Sequence, residues 1–264
     1  MKIMKKIAAV TIAAAALFAF AGCSDADDPN EMINGSNKVY TIDYPNESTD
    51  ISRGYHPTAY NHAGAAVQLD FENVSKNANG GVMGLIFDLE EKDGAKSFNV
   101  IGVKTNNADG ALGYYVSRFE NVTDIQAKNF GTELAENPAK ETVYAPTFGS
   151  AQGVKNAEKD TITVYAYAIE KLNESTQKYE YKVYILYADT QIGKLDRDGN
   201  LVAEDGTAID LSGVEPVATI PTEYTGSQPT QRKLAVYANV YAGKTLKGTW
   251  TYRGDYKEVG VDED

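Results

Sequence analysis

The feature that most constrains the fold is a two-residue alternation of apolar and polar side chains. In the stretch 65–72, apolar side chains stand at every second position: Ala65, Val67, Leu69 and Phe71. Successive side chains of a β-strand point to opposite faces, so this period is typical of a strand with one buried face. No stretch has the period of a long amphipathic helix. The sequence therefore predicts an all-β protein.

Three apolar runs follow this strand and are separated by turn-forming residues. The runs are 82–89, 98–103 and 112–119, and the turns contain Asp93-Gly94 and Asp109-Gly110. Asp-Gly pairs favour tight hairpin turns. The pattern predicts a three-stranded antiparallel meander.

A further hairpin is predicted from two alternating stretches, 161–170 and 179–187, on either side of the polar loop 173–176. Symmetric pairing around this loop sets Val164 opposite Ile185. One face is then apolar, and the other carries Tyr165, Tyr167 and Tyr184, with Tyr165 opposite Tyr184. Exposed rings of this kind can stack on sugars, so these tyrosines are the candidate ligand-binding residues. Two alternatives remain: the rings form an exposed platform, or another segment covers them.

The last predicted hairpin joins the stretches around Val236 and Trp250. A three-residue loop, 242–244, sets these two residues opposite each other, because a one-residue slip would move every apolar side chain to the wrong face. Many short strands with Gly and Asp turns favour an antiparallel β-sandwich or jelly roll. We predict one such domain over residues 37–264.

The N-terminus has the composition of a secretory signal. Lys2, Lys5 and Lys6 precede an uncharged apolar run, 7–20. This run is shorter than the roughly 20 residues that a membrane-spanning helix needs. Residues 1–22 are therefore predicted to be a removable signal peptide.

The stretch Phe20-Ala21-Gly22-Cys23 resembles the lipobox of bacterial lipoproteins. The resemblance implies cleavage before Cys23, acylation of its thiol and attachment to a membrane through the acyl chains. Phe20 stands where leucine is usual, a departure that resembles spirochaete lipoproteins. The alternative is an ordinary secreted protein with one free thiol, which would be open to oxidation or crosslinking.

Residues 23–36 are predicted to be a short disordered tether behind the lipid. They are rich in Asp, Asn, Glu, Gly and Ser and cannot bury enough apolar surface to fold. Ser24 follows the acylated cysteine. In many Gram-negative lipoproteins an aspartate at this position retains the protein at the inner membrane, so the expected location is the outer membrane of the cell envelope.

Composition excludes several classes of partner and site. The formal net charge is −12, and loss of the three signal lysines makes it more negative. Such a surface repels phosphate backbones, so we expect no nucleic-acid partner. Cys23 is the single cysteine, and its acylation leaves no disulfide or thiolate metal site, so a buried core must supply the stability. No cofactor is expected.

Two patterns offer weak metal sites. Asp196, Asp198 and Asn200 place oxygens at alternate positions, as at the start of a calcium loop, but Leu201 stands where such loops need glycine. A plain hairpin turn is the preferred interpretation. His56 and His62 are the only histidines, and no third ligand is identified for them.

One carboxylate cluster lies on a predicted strand. Alternation puts Asp88 and Glu90 on one face, where they could act as an acid and base pair on a sugar, or simply meet solvent at the strand end. The segments 84–88, 98–103 and 113–116 resemble the meander of concanavalin A-like jelly rolls. That family includes lectins, noncatalytic sugar-binding modules and β-glycanases. Ile86 stands where its glycanases carry their first glutamate, so the resemblance implies binding rather than hydrolysis.

Taken together, the sequence predicts a noncatalytic, membrane-anchored module that binds an extracellular glycan or another extracellular ligand, including a protein. Two alternatives stay open. One is a structural or assembly lipoprotein whose tyrosines only pair across strands, and the other is a degenerate carbohydrate-active enzyme.

Overall fold

The structure is a computed structural model and describes residues 32–36, 38–61, 64–74, 80–105, 111–125, 141–145, 149–152, 155–156, 160–187, 192–222, 232–255 and 257–258. Every regular element within these residues is a β-strand, as the alternation predicts. The described residues contain no helix with the length and apolar character needed to cross a membrane.

Two eight-stranded sheets face each other. The first contains, in spatial order, β1 (Asn34–Ser36), β2 (Val39–Pro45), β17 (Thr245–Tyr252), β4 (Ala65–Glu72), β11 (Thr161–Asn173), β12 (Lys178–Tyr187) and β15 (Ala218–Pro221), with β10 (Lys155–Asn156) paired to β11. The second contains β18 (Lys257–Glu258), β3 (Ser52–Asn61), β16 (Arg232–Val240), β5 (Gly81–Lys92), β6 (Ala95–Thr105), β7 (Ala111–Val122) and β8 (Glu141–Val143), with β9 (Gly149–Gln152) paired to β7. A separate small hairpin consists of β13 (Lys194–Leu195) and β14 (Leu201–Val202). The fold is thus the predicted antiparallel β-sandwich of the jelly-roll class.

The main core lies between the two sheets. Each strand contributes every second side chain to it, so Leu69 and Val164 from the first sheet pack with Leu85 and Val236 from the second. Trp250 is fully buried in this core, and its Nε1 donates to the carbonyl of Gly84 across the sandwich at 3.1 Å. Burial of apolar surface contributes a free energy of about 25 cal/mol per Å². This is the main stabilising contribution here, because a chain with one cysteine cannot form an internal disulfide.

The predicted meander is confirmed, since β5, β6 and β7 pair consecutively. Lys92 pairs with Ala95 around the two-residue turn Asp93-Gly94, and both turn residues have positive φ, 53° and 77°. This is the geometry that matches the twist of a hairpin. Glycine adopts it without steric cost.

The outer face of the second sheet is also apolar and buried. Tyr237 lies there across two glycines of neighbouring strands. A Cβ on Gly84 would lie 2.2 Å from the Cε1 of Tyr237, and a Cβ on Gly102 would lie 2.5 Å from its Oη. Only glycine at these two positions leaves room for the ring.

The predicted register of the hairpin between β11 and β12 is wrong by two residues. Val164 pairs with Tyr187 rather than with Ile185, and Tyr184 pairs with Tyr167 rather than with Tyr165. The turn occupies 174–177, because the Oδ1 of Asn173 accepts from the backbone N–H groups of Ser175 and Thr176 and so begins the turn one residue later. A shift by two residues leaves each side chain on the predicted face.

The predicted hairpin between β16 and β17 does not form. β16 pairs with β3 and β5 in the second sheet, whereas β17 pairs with β2 and β4 in the first. Apolar and polar side chains alternate in both strands. Their apolar faces pack against each other across the core, and the two strands are not neighbours in one sheet. The loop 241–244 is therefore a corner between the sheets. Val236 and Trp250 are both buried in the core, but in different sheets.

The body begins earlier than predicted. Met32 and Ile33 are buried, and β1 pairs with β2, so the last residues of the predicted tether belong to the sandwich. These two apolar side chains interrupt an otherwise polar stretch, which is why composition alone placed the boundary too late. Residues 1–31, with the signal peptide and Cys23, lie outside the described residues.

Candidate functional site

A surface segment divides the outer face of the first sheet into a covered part and an open part. We call residues 192–211, which include β13 and β14, the covering segment. It packs on a cluster that contains Ala66, Ile169 and the predicted tyrosines. The Oη of Tyr167 donates to the carbonyl of Gly193 at 2.7 Å and fixes the segment to the sheet.

The three predicted ligand-binding tyrosines are therefore not equivalent. Tyr167 is 0% exposed and Tyr184 is 7% exposed. Of the two alternatives that the sequence left open, coverage by another segment is what the structure shows for these two rings. Tyr165 is half-buried and lies at the border of the covering segment, stacked on Tyr167 with a centroid distance of 6.4 Å and an interplanar angle of 11°. Of these three tyrosines, only Tyr165 presents part of its ring to solvent.

Beside Tyr165 lies a polar patch that we call the open face. It consists of outward side chains from three adjacent strands: Gln68 and Asp70 on β4, Thr163 and Tyr165 on β11, and Thr249 and Thr251 on β17. These residues form two rows across the strands, Thr251–Gln68–Tyr165 and Thr249–Asp70–Thr163. Each member is partly exposed, whereas the inward neighbours Leu69, Val164 and Trp250 are fully buried. The two-residue period of the strands is the cause of this division.

Asp70 organises the centre of the open face. Its Oδ1 accepts from the Oγ1 of Thr163 at 2.6 Å, and its Oδ2 accepts from the Nε2 of Gln68 at 2.9 Å. Hydrogen bonds to a carboxylate are among the stronger ones in proteins. The carboxylate and the amide are thus held in fixed orientations on the outer side of the sheet.

Ion pairs border the open face on two sides. At the covering segment, Arg253 pairs with Glu204. Burial raises the pKa of the Tyr165 hydroxyl; the positive charge of Arg253 opposes this rise, and the charges of Asp70 and Glu204 add to it. On the other side, Lys247 lies 3.1 Å from Asp43 and 3.7 Å from Glu72. The hydrogen bond to Asp43 raises the pKa of Lys247, which keeps its charge neutralised by carboxylates.

This arrangement fits a polyhydroxylated ligand. A carboxylate and an amide can each engage two neighbouring hydroxyl groups, threonine hydroxyls can donate or accept, and one aromatic ring can stack on an apolar ligand face. A few fixed polar groups beside an aromatic surface are typical of small-molecule sites.

The weak metal candidates form a turn. The Oδ1 of Asp196 accepts from the backbone N–H groups of Asp198 and Asn200, at 3.0 Å and 2.8 Å. The carboxylate is thus directed at its own loop, between β13 and β14, in agreement with the hairpin interpretation. No group of three or more His, Cys, Asp or Glu side chains suited to a metal ion occurs among the described residues.

The carboxylate cluster on β5 is interrupted by a bulge. Phe87 pairs with Asn99 and Glu90 pairs with Ser97, so Asp88 and Leu89 together face one residue of β6. Asp88 has a φ of 53° and is buried, whereas Glu90 is exposed. The predicted alternation of Asp88 and Glu90 therefore does not hold, because a bulge changes the direction of the strand's side chains. This cluster lies on the second sheet, away from the open face.

His56 lies on β3 with its ring centroid 4.8 Å from that of Tyr40. Burial lowers the pKa of this histidine. His62, the second predicted partner, lies outside the described residues, as does the lipidation candidate Cys23.

Sequence reasoning missed five of the six residues of the open face. The alternation on β4 does expose Gln68 and Asp70, and Thr249-Trp250-Thr251 has the same period. However, the predicted pairing of β17 with β16 separated Thr249 and Thr251 from β4. Without the true neighbours of β17, no pattern in the chain brings these residues together.

No family model matches the chain, and no curated protein matches it. Among solved structures, it is similar to the CBM2 module of an evolved Dit protein of Lactobacillus casei BL23 phage J-1, at 9% identity and a TM-score of 0.29, covering 86% of this chain and 71% of that one. It is also similar to a functionally unknown protein from Saccharomyces cerevisiae, at 8% identity and a TM-score of 0.30, covering 88% and 92%. Peanut lectin with a nine-residue peptide matches at 11% identity and a TM-score of 0.26, covering 89% and 96%. At these TM-scores the similarity assigns neither a family nor a ligand to the chain.

Proposed function

We propose that this chain is a noncatalytic, membrane-anchored extracytoplasmic lipoprotein that binds a glycan on its open face. The observation that carries the proposal is the placement of one accessible ring, Tyr165, beside the hydrogen-bonded pair Gln68 and Asp70. An aromatic surface can stack on the apolar face of a sugar, and fixed polar groups beside it can exchange hydrogen bonds with sugar hydroxyls.

The anchor is supported by the sequence around Cys23. The thiol follows Ala21-Gly22 and a lysine-flanked apolar run, and acylation would give stable attachment because two or more acyl chains hold a protein to a bilayer far better than one. Ser24 favours the outer membrane. Met32, the first described residue, is nine positions beyond Cys23, so the body stays within about 30 Å of the lipid surface.

A glycan array probed with residues 24–264 tests the binding. We expect binding by the native body, loss of binding in Tyr165→Ala and retention in Tyr165→Phe, which keeps the ring. Thr219→Ala is the matched control, since Thr219 is exposed on β15, outside the open face. Absence of any glycan hit, or equal binding by Tyr165→Ala, would contradict the proposal and favour the structural lipoprotein.

A reducing-sugar assay on each glycan that binds separates a binding module from an enzyme. We expect no release of reducing ends above the rate without protein. Release that disappears in Asp70→Asn would instead identify a carbohydrate-active enzyme.

A further inference from the structure

The open face continues as a polar row beyond the three strands that define it. Thr249 pairs with Thr41 on β2, and Thr41 pairs with Asn34 on β1. Both added side chains are exposed. The row Asn34–Thr41–Thr249–Asp70–Thr163 therefore crosses five strands, and four spacings of about 4.8 Å give a length of about 19 Å. This length is several times the width of one pyranose ring.

The covering segment restricts the direction in which a bound ligand can extend. It lies over the row beyond Thr251–Gln68–Tyr165, in which Tyr167 pairs with Ala66 and the N–H of Arg253 donates to the carbonyl of Ala66. Arg253 also pairs with Glu204 of the segment. The segment is thus a wall that runs across β11, β4 and the end of β17, parallel to the polar row and separated from it by the row that contains Tyr165. A ligand that extends across the strands can lie beside this wall. A ligand that extends along the strands would clash with it.

The charges around the row are unfavourable for an acidic ligand. Asp70 lies in the row itself, and Asp43 and Glu72 lie beside it. The cations Lys247 and Arg253 are each paired with a carboxylate. A carboxylate or sulfate on the ligand would meet Asp70 at short range, where like charges repel, and the nearby cations Lys247 and Arg253 are already engaged by carboxylates.

From this geometry we infer that the ligand is a linear glycan without acidic groups that lies across the strands, along the polar row and beside the covering segment. This inference rests on the proposed glycan binding and specifies it. Each successive sugar would engage the polar side chain of the next strand, from Tyr165 and Thr163 on β11 towards Asn34 on β1.

Titration calorimetry with size series tests the inference. The probes are cello-, xylo-, manno- and malto-oligosaccharides, chitosan oligomers and oligogalacturonates, each from two to six units. In the series that binds, we expect the pentasaccharide to bind at least tenfold more tightly than the disaccharide. Oligogalacturonates of equal length should show no binding.

Thr41→Ala separates the far end of the row from the Tyr165 end. Thr41 is exposed and its removal does not disturb the core. Loss of one hydrogen-bonding group should weaken pentasaccharide binding by about threefold or more and leave disaccharide binding unchanged. Thr219→Ala, outside the row, should change neither affinity.

The outcomes distinguish the two proposals. Failure of every series to bind overturns the glycan-binding function and this inference with it. Binding that does not depend on length, an equal effect of Thr41→Ala on both lengths, or a preference for oligogalacturonates overturns the inference alone and leaves glycan binding established.

Discussion

Tyr165 and Tyr184 have the same residue type and the same outward orientation, yet the structure gives them different environments. Tyr184 lies under the covering segment at 7% exposure, whereas Tyr165 borders solvent. We predict that Tyr184→Ala lowers the free energy of unfolding by about 3 to 5 kcal/mol, as expected for a buried aromatic residue. Tyr165→Ala should cost clearly less. Urea denaturation of both variants measures this, and equal losses would contradict the assigned burial.

The alkaline stability of the protein should depend on Tyr241. Burial raises the pKa of its hydroxyl from 10 to about 12. Burial also raises the pKa of the neighbouring Tyr237 hydroxyl. Below pH 10, folded and unfolded chains both keep the proton. Between pH 10 and about 12 the unfolded chain releases it while the folded chain keeps it, so the free energy of unfolding falls as pH rises.

Tyr241→Phe removes the titrating hydroxyl. Between pH 9 and 11.5 the free energy of unfolding should therefore fall less for this variant than for the native protein. At pH 7 the variant should be no less stable, because the buried Tyr241 hydroxyl has no hydrogen-bond partner among the residues that the structure describes. Urea denaturation at several pH values gives the comparison. The same alkaline loss in both proteins would show that Tyr241 titrates normally.

At the scale of strands, the sequence predicted the features that depend on local pattern, namely the strand faces and the tight turns. The meander β5–β6–β7 follows from alternation and from Asp93-Gly94, whose preferred turn fixes the pairing. The faces of β11 and β12 also followed from alternation, although the Asn173 turn shifted the register. The partners of β17 did not follow, because an alternating strand has the same pattern whether its neighbour in the sheet is β16 or β4.

A charge reversal tests the observed neighbours of β17. Lys247 pairs with Asp43 across β17 and β2. Asp43→Lys should lower the free energy of unfolding by about 0.5 kcal/mol, because like charges then face each other across the strands. Adding Lys247→Glu should restore part of the loss, because it re-forms an ion pair with position 43 but places a like charge beside Glu72. Purely additive effects of the two substitutions would contradict this pairing.

At the scale of the whole molecule, a predicted lipid anchor would hold a β-sandwich whose first sheet presents a polar outer patch beside the covering segment. We predict that Cys23→Ala abolishes acylation and leaves the protein unprocessed or released. Intact-mass analysis and detergent partitioning of both proteins check this. A lipid mass on the Cys23→Ala protein would show that the anchor lies elsewhere, and native protein found only with inner-membrane markers would contradict the outer-membrane proposal.

The central claim is that the open face of the first sheet binds glycan. Chemical-shift mapping tests it most directly, by titrating isotope-labelled residues 24–264 with a mixture of cello-, xylo-, manno- and malto-hexaoses and chitosan hexamer. We expect the largest shifts to cluster at the residues of the open face: Gln68, Asp70, Thr163, Tyr165, Thr249 and Thr251. Shifts concentrated on the second sheet, or no shifts at millimolar sugar, would contradict it.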